Sequence, residues 1–151
     1  MTALPAWYVQ LQWSVPINVA ALNLNRNVIP DFPGCYVFTP EQRALLPGQV
    51  FYVGESKVSL RNRLPVYLVD WTQPKTGPEH KGKAFILAER KKRGDYGVYV
   101  RWVEYGGAGP DISLLESSLI DLLEPMYNDR DEYARHGGLG PWESLDPQLL
   151  R

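Results

Sequence analysis

A chain of 151 residues, 44% of them apolar and 22% charged, has the length of one domain and the composition of an ordinary globular protein. No apolar run approaches the roughly 18–20 residues that a membrane span needs, and the single cysteine, Cys35, excludes an internal disulfide. The formal net charge of −1 hides an asymmetry: residues 57–93 hold ten Lys/Arg and three Asp/Glu, net +7, and the rest hold six and fourteen, net −8.

The first residues lack the basic start and apolar stretch of a secretory leader. A cytoplasmic, non-membrane protein is therefore expected, with signal-independent export as the other route. The basic sector is rich enough to bind a phosphate backbone, although a solvated helix face would carry the same charges.

Residues 7–13 alternate as a strand would. Residues 16–31 fit neither period and end at a turn, Pro30-Asp31. A strand is predicted at 34–38, a loop at 39–49 closed by Pro47-Gly48, and a second strand at 50–54, the two forming an antiparallel pair. Residues 58–69 read as a helix that Pro65 must begin, kink or end. A polar loop follows at 71–82, then a helix at 83–93 whose basic end precedes Gly94. Residues 96–105 form a strong strand candidate. Asp111 suits the N-cap of a helix running to about Glu124 and stopped by Pro125. The tail after Asn128 is rich in Gly and Pro and reads as loop, as do the positions of His80 and His136. The predicted class is α+β, with a small central, mostly antiparallel sheet flanked by helices. Residues 1–30 are expected to be an extension packed on the domain, 31–130 the core with a basic insertion at 71–95, and 131–151 a tail.

The last helix contains an acid out of place. Ser113, Ser117, Asp121 and Glu124 mark its polar face. Glu116 has Ile112, Leu119, Ile120 and Leu123 as its helical neighbours. A buried, unpaired carboxylate costs several kcal/mol or takes up a proton, so Glu116 needs a partner such as an arginine or a divalent metal. An ordinary salt bridge at the core edge would also satisfy it.

Five short elements occur in order: Gly34-Cys35-Tyr36, Tyr52-Val53-Gly54, Arg63 within Leu60-Arg61-Asn62-Arg63-Leu64, Glu116 within Leu115-Glu116-Ser117, and Pro125-Met126-Tyr127-Asn128. Together they resemble the GIY-YIG nuclease superfamily over about residues 33–128. The resemblance implies the GIY-YIG nuclease fold and a metal-dependent DNA endonuclease. It implies that Tyr52 helps activate the attacking water and that Tyr36 supports it. Arg63 would steady charge on the scissile phosphate, and Tyr67 would transfer a proton or contact phosphate. Glu116 would bind Mg²⁺ or Mn²⁺ as the single carboxylate ligand, and Asn128 would brace the site. Arg63 is preferred to Arg61 because Leu64 and Tyr67 then fall in register. The sequence departs from the family where Cys35 and Val53 replace isoleucines and where Glu55 stands in place of a lysine, a charge that Lys57 can replace.

Hydrolysis of a phosphodiester needs an activated water, neutralised phosphate charge and help for the leaving oxygen. These residue types supply all three. Lys57, Arg61, Lys81, Lys83, Arg90, Lys91, Lys92 and Arg93 are the expected DNA contacts, made to phosphates more than to bases. Limited sequence specificity follows, in a repair, restriction, defence or toxin role, with a homodimer or a larger partner as the source of any further specificity. The competing readings are a catalytically inactive nucleic-acid-binding module and a protein-interaction domain that uses the acidic sector.

Overall fold

The computed structural model describes residues 4–40, 45, 47–70, 81–128 and 147–150. Of the expected loops, residues 71–80 and most of the tail after Asn128 lie outside them, as do His80 and His136. In chain order the elements are helix α1 (Ala6–Val9), strand β1 (Ile17–Asn18), helix α2 (Val19–Leu24), a 3-10 turn at Arg26–Val28, and strands β2 (Gly34–Thr39) and β3 (Tyr52–Ser56). Helix α3 (Leu60–Arg63) runs into a 3-10 turn at Leu64–Tyr67 and is followed by helix α4 (Lys81–Arg93) and a 3-10 turn at Asp95–Gly97. Strand β4 (Tyr99–Glu104), helix α5 (Gly109–Leu123) and a 3-10 turn at Pro147–Leu149 complete the chain. The architecture is α+β. The sheet has the order β1-β4-β2-β3 and every pairing in it is antiparallel.

Strand alternation divides the core in two. Cys35, Val37, Val53 and Val103 point to one face, where Ile112, Leu115, Leu119 and Leu123 of α5 and Trp7, Tyr8 and Leu11 of the N-terminal segment cover them. Tyr36, Phe38, Tyr52, Val100 and Trp102 point to the other, packed with Leu60, Leu64, Tyr67, Ile86 and Leu22. Residues 4–30 therefore furnish an edge strand and part of both cores.

Three local expectations change. Residues 7–13 are not a strand: Trp7, Tyr8 and Leu11 are buried at helical spacing while Val9 is exposed, and the Tyr8 and Val9 amides donate to Pro5 O. Asp111 is not the N-cap of α5. The helix starts at Gly109, and the Asp111 carboxylate reaches back to accept the Ala108 N–H at 3.1 Å. Ser113 and Ser117 are buried, which leaves α5 a polar face much narrower than expected. Pro65 behaves as expected, ending α3 and sitting in the first turn of the 3-10 segment, where its missing N–H costs nothing.

Candidate active site

Tyr36 lies at the centre of β2, opposite Gly54 of β3 and Trp102 of β4. Its ring lies over Gly54: a Cβ there would come within 2.3 Å of Tyr36 Cζ. The glycine of the second motif is thus required by close approach rather than by an unusual φ. The 3-10 turn after Arg63 delivers Tyr67 to the same place, and the Tyr36 and Tyr67 hydroxyls stand 2.6 Å apart. Tyr67 is the hub of the cluster, with ring centroids 5.5 Å from Tyr36, 4.9 Å from Phe38 and 6.2 Å from Tyr52. Tyr52 also hydrogen-bonds Tyr67.

Arg63 hydrogen-bonds Tyr36, and its charge reaches Tyr67 and Tyr52 as well. Its helix is anchored at Ser59, which donates to Asp31 Oδ1 at 2.6 Å and accepts the Asn62 N–H at 3.4 Å. Arg61 points elsewhere, its guanidinium donating to Ile29 O at 2.8 Å and Asn27 O at 3.5 Å. Of the two arginines it is Arg63 that joins the tyrosines.

Burial pushes the Tyr36 phenol above its ordinary range, with the Tyr67 hydrogen bond and Arg63 offsetting only part of the effect. Burial raises Tyr67 as well, and Tyr36 adds to it. Burial acts to lower the Arg63 pKa, but the surrounding phenols outweigh it and hold the guanidinium protonated. Tyr36 and Tyr67 therefore stay protonated near neutral pH and can act as hydrogen-bonding groups, not as bases.

Asn128 braces the edge strand. Its Oδ1 accepts the Val53 N–H at 2.7 Å and its Nδ2 donates to Val53 O at 2.9 Å, between Tyr52 and Gly54. The chain before it pairs with the residues leading into β3, Met126 N to Val50 O and Tyr127 N to Phe51 O, both at 2.9 Å. An amide that mimics a strand residue satisfies backbone groups that an edge strand otherwise leaves open.

Glu116 is 5% exposed, as its helical phase predicts. It is carried by α5, whose apolar residues pack on the face of the sheet opposite the tyrosine cluster. Its neighbours there include Cys35, whose thiol is raised by burial, then by Glu116 and by Glu55. Glu55 lies on this same side. Its Oε1 accepts from Ser113 Oγ at 3.4 Å and lies 3.5 Å from Lys57 Nζ, while its Oε2 is buried with no hydrogen-bond partner. Among the described residues no three His, Cys, Asp or Glu side chains gather into a metal cage. The orphaned Glu55 oxygen, buried on the side of the sheet that α5 covers, is a hard donor of the kind a divalent cation takes.

The expected DNA contacts divide sharply. Arg90 is a correction: it is 2% exposed and cannot meet a phosphate. Its Nε and Nη2 grip both Asp95 oxygens at 2.7 and 3.0 Å, and its Nη1 donates to Tyr67 O at 2.8 Å and Val69 O at 2.6 Å. Arg93 is partly committed, with Nε 2.7 Å from Glu89 Oε2 and its guanidinium 5.0 Å from the Phe51 ring centroid. Lys91, Lys92 and Lys57 are exposed and Lys83 is half-buried, while the Lys81 side chain lies outside the described residues. Sequence reasoning missed the Arg90–Asp95 clasp and the Glu89–Tyr127 hydrogen bond. The signal was there in the phase of α4: Ile86, Glu89 and Arg90 share one face at i, i+3 and i+4.

Gly82 of α4 lies against Tyr52, where a Cβ would come within 2.5 Å of Tyr52 Cζ. The start of the basic helix thus covers the hydroxyl end of the second-motif tyrosine. No family model matches the chain, and no solved structure matches it either.

Proposed function

We propose that the chain is a divalent-metal-dependent DNA endonuclease of the GIY-YIG type, hydrolysing phosphodiesters with little sequence preference. The observation that carries this reading is the convergence of Tyr36, Tyr52, Arg63 and Tyr67, residues from separate motifs, in one hydrogen-bonded cluster. Arg63 is the fixed cation that offsets charge on a phosphate oxygen. Tyr36 and Tyr67, kept protonated, orient Tyr52, which would release its own proton to solvent beside the Arg63 charge and then, as the phenolate, accept the proton of the attacking water. A divalent cation held at Glu116, with Glu55 beside it, would supply charge that stabilises the transition state and acidifies water. Gly82 over Tyr52 makes the first turn of α4 the element a substrate displaces on entry.

A second reading is favoured by one observation: α5, the helix that carries Glu116, packs its apolar residues on the face of the sheet opposite the tyrosines. In that reading the chain is a nucleic-acid-binding module without catalysis.

Supercoiled plasmid incubated with Mg²⁺, Mn²⁺ or EDTA separates the two. Cutting that needs metal, disappears in Glu116→Ala and falls about 100–1,000-fold in Arg63→Ala supports the nuclease. No cutting under any metal, with salt-sensitive binding intact, supports the binding module.

A further inference from the structure

Tyr96 is 76% exposed, a whole aromatic ring left in water. The short turn that carries it is hydrogen-bonded on both sides of the ring. Gly94, at φ 77°, turns the chain out of α4; the Gly94 N–H donates to Arg90 O at 2.7 Å and the Gly97 N–H to Gly94 O at 3.0 Å. The residue before Tyr96 is Asp95, gripped through both carboxylate oxygens by the buried Arg90. The last turn of α4 places Lys91 and Lys92, both exposed, just before this mount. Arg90 neutralises Asp95, so the one acid of the turn does not cancel those lysines.

A hydrogen-bonded turn, a bare aromatic face and nearby exposed cations form the combination that receives an unpaired base. The ring stacks on any base, and the lysines meet the adjoining phosphates. A base paired inside a duplex offers no free face to such a ring. We propose that Tyr96, flanked by Lys91 and Lys92, is a stacking platform for single-stranded nucleic acid. The platform is fastened to the tyrosine cluster through Arg90, whose Nη1 holds the Tyr67 carbonyl. The inference concerns binding alone and holds whether or not the site cuts.

The test is fluorescence anisotropy in EDTA, which silences any metal-dependent cutting. The probes are labelled oligothymidylate, oligouridylate of equal length and a hairpin duplex, against the wild-type chain, Tyr96→Ala and Tyr96→Phe. The proposal expects Tyr96→Ala to weaken binding of a single strand about tenfold. Tyr96→Phe should stay within about twofold of wild type, because the ring face is kept. Duplex binding and thermal midpoint should be unchanged in both variants. Loss with both oligonucleotides assigns the platform to single strands in general; loss with one assigns it to DNA or to RNA. The proposal is overturned if Tyr96→Ala binds single strands as wild type does, if it loses duplex and single strand alike, or if the wild-type chain binds no single strand. A plasmid assay without cutting would leave a positive binding result standing.

Discussion

Two phenol hydroxyls 2.6 Å apart beneath a protonated guanidinium share a single hydrogen-bond budget, and burial keeps both neutral. That neutrality has a consequence for stability. Tyr36 and Tyr67 hold their protons to higher pH in the folded chain than the ordinary phenol value of 10.0. Groups raised in this way give stability that is complete below the unfolded value and is lost as pH rises through the folded one. Urea unfolding should therefore show the pair's contribution full and independent of pH between about pH 7 and about 9, and a falling stability above about 10. A Tyr36→Phe/Tyr67→Phe variant should fall less steeply over the alkaline range. Equal alkaline slopes in the two proteins would mean that these phenols ionise as easily folded as unfolded. At this scale the tyrosines, Arg63 and Asn128 were legible because each lies in a short motif whose order along the chain is distinctive. The buried state of Arg90 was not, since a run of Lys and Arg looks like a solvated face until its neighbours on the helix are counted.

Among the elements, the short 3-10 segment at Leu64–Tyr67 has the largest effect on the cluster and the weakest signal in the sequence. Pro65 stops α3, and the turn's last residue is then held by a helix that follows much later in the chain. Arg90 of α4 closes this long-range connection by donating to Tyr67 O and Val69 O while gripping Asp95. Replacing it with methionine keeps the apolar stem but leaves Asp95 and two carbonyls without their donors. Asp95 is 26% exposed and can take water in place of the guanidinium, so the cost is chiefly that of the stranded carbonyls, about 1–3 kcal/mol. Arg90→Met should therefore lose an amount of that order in urea unfolding, and the Tyr67 ring should loosen from Tyr36. A cost near that of an ordinary surface substitution, within about 0.5 kcal/mol, would show that the clasp holds nothing. Helix α1 illustrates the opposite limit. Residues 7–13, Trp-Tyr-Val-Gln-Leu-Gln-Trp, alternate as a strand does, yet among the described residues no strand pairs with them, and Pro5 accepts the first amides in a helical turn. Period alone decides poorly over seven residues, because either conformation buries three large side chains.

For the whole molecule, the net +7 of residues 57–93 overstates the charge available to a polyanion. Arg90 is sealed in the fold, Arg61 is tied to the carbonyls of Asn27 and Ile29, and Arg93 is shared between Glu89 and Phe51. The cations of this sector are thus partly the fold's own fastenings, and the net charge of the stretch could not separate these from the exposed ones. The exposed lysines at the end of α4 belong to the second group, and counterion release distinguishes the two. Each lysine that meets a phosphate adds about one unit to the slope of log binding constant against log salt concentration. A Lys91→Ala/Lys92→Ala variant should therefore bind DNA with a slope shallower by about 2. Arg61→Ala should leave the slope as it is, because its guanidinium faces the chain's own carbonyls. A titration from about 50 to about 200 mM salt resolves the difference. If the double-lysine variant keeps the wild-type slope, the polyanion is bound elsewhere on the surface. If Arg61→Ala shifts it instead, the loop at Asn27–Ile29 releases its arginine when nucleic acid binds, and the boundary between fastening and binding charge lies on the other side of Arg61.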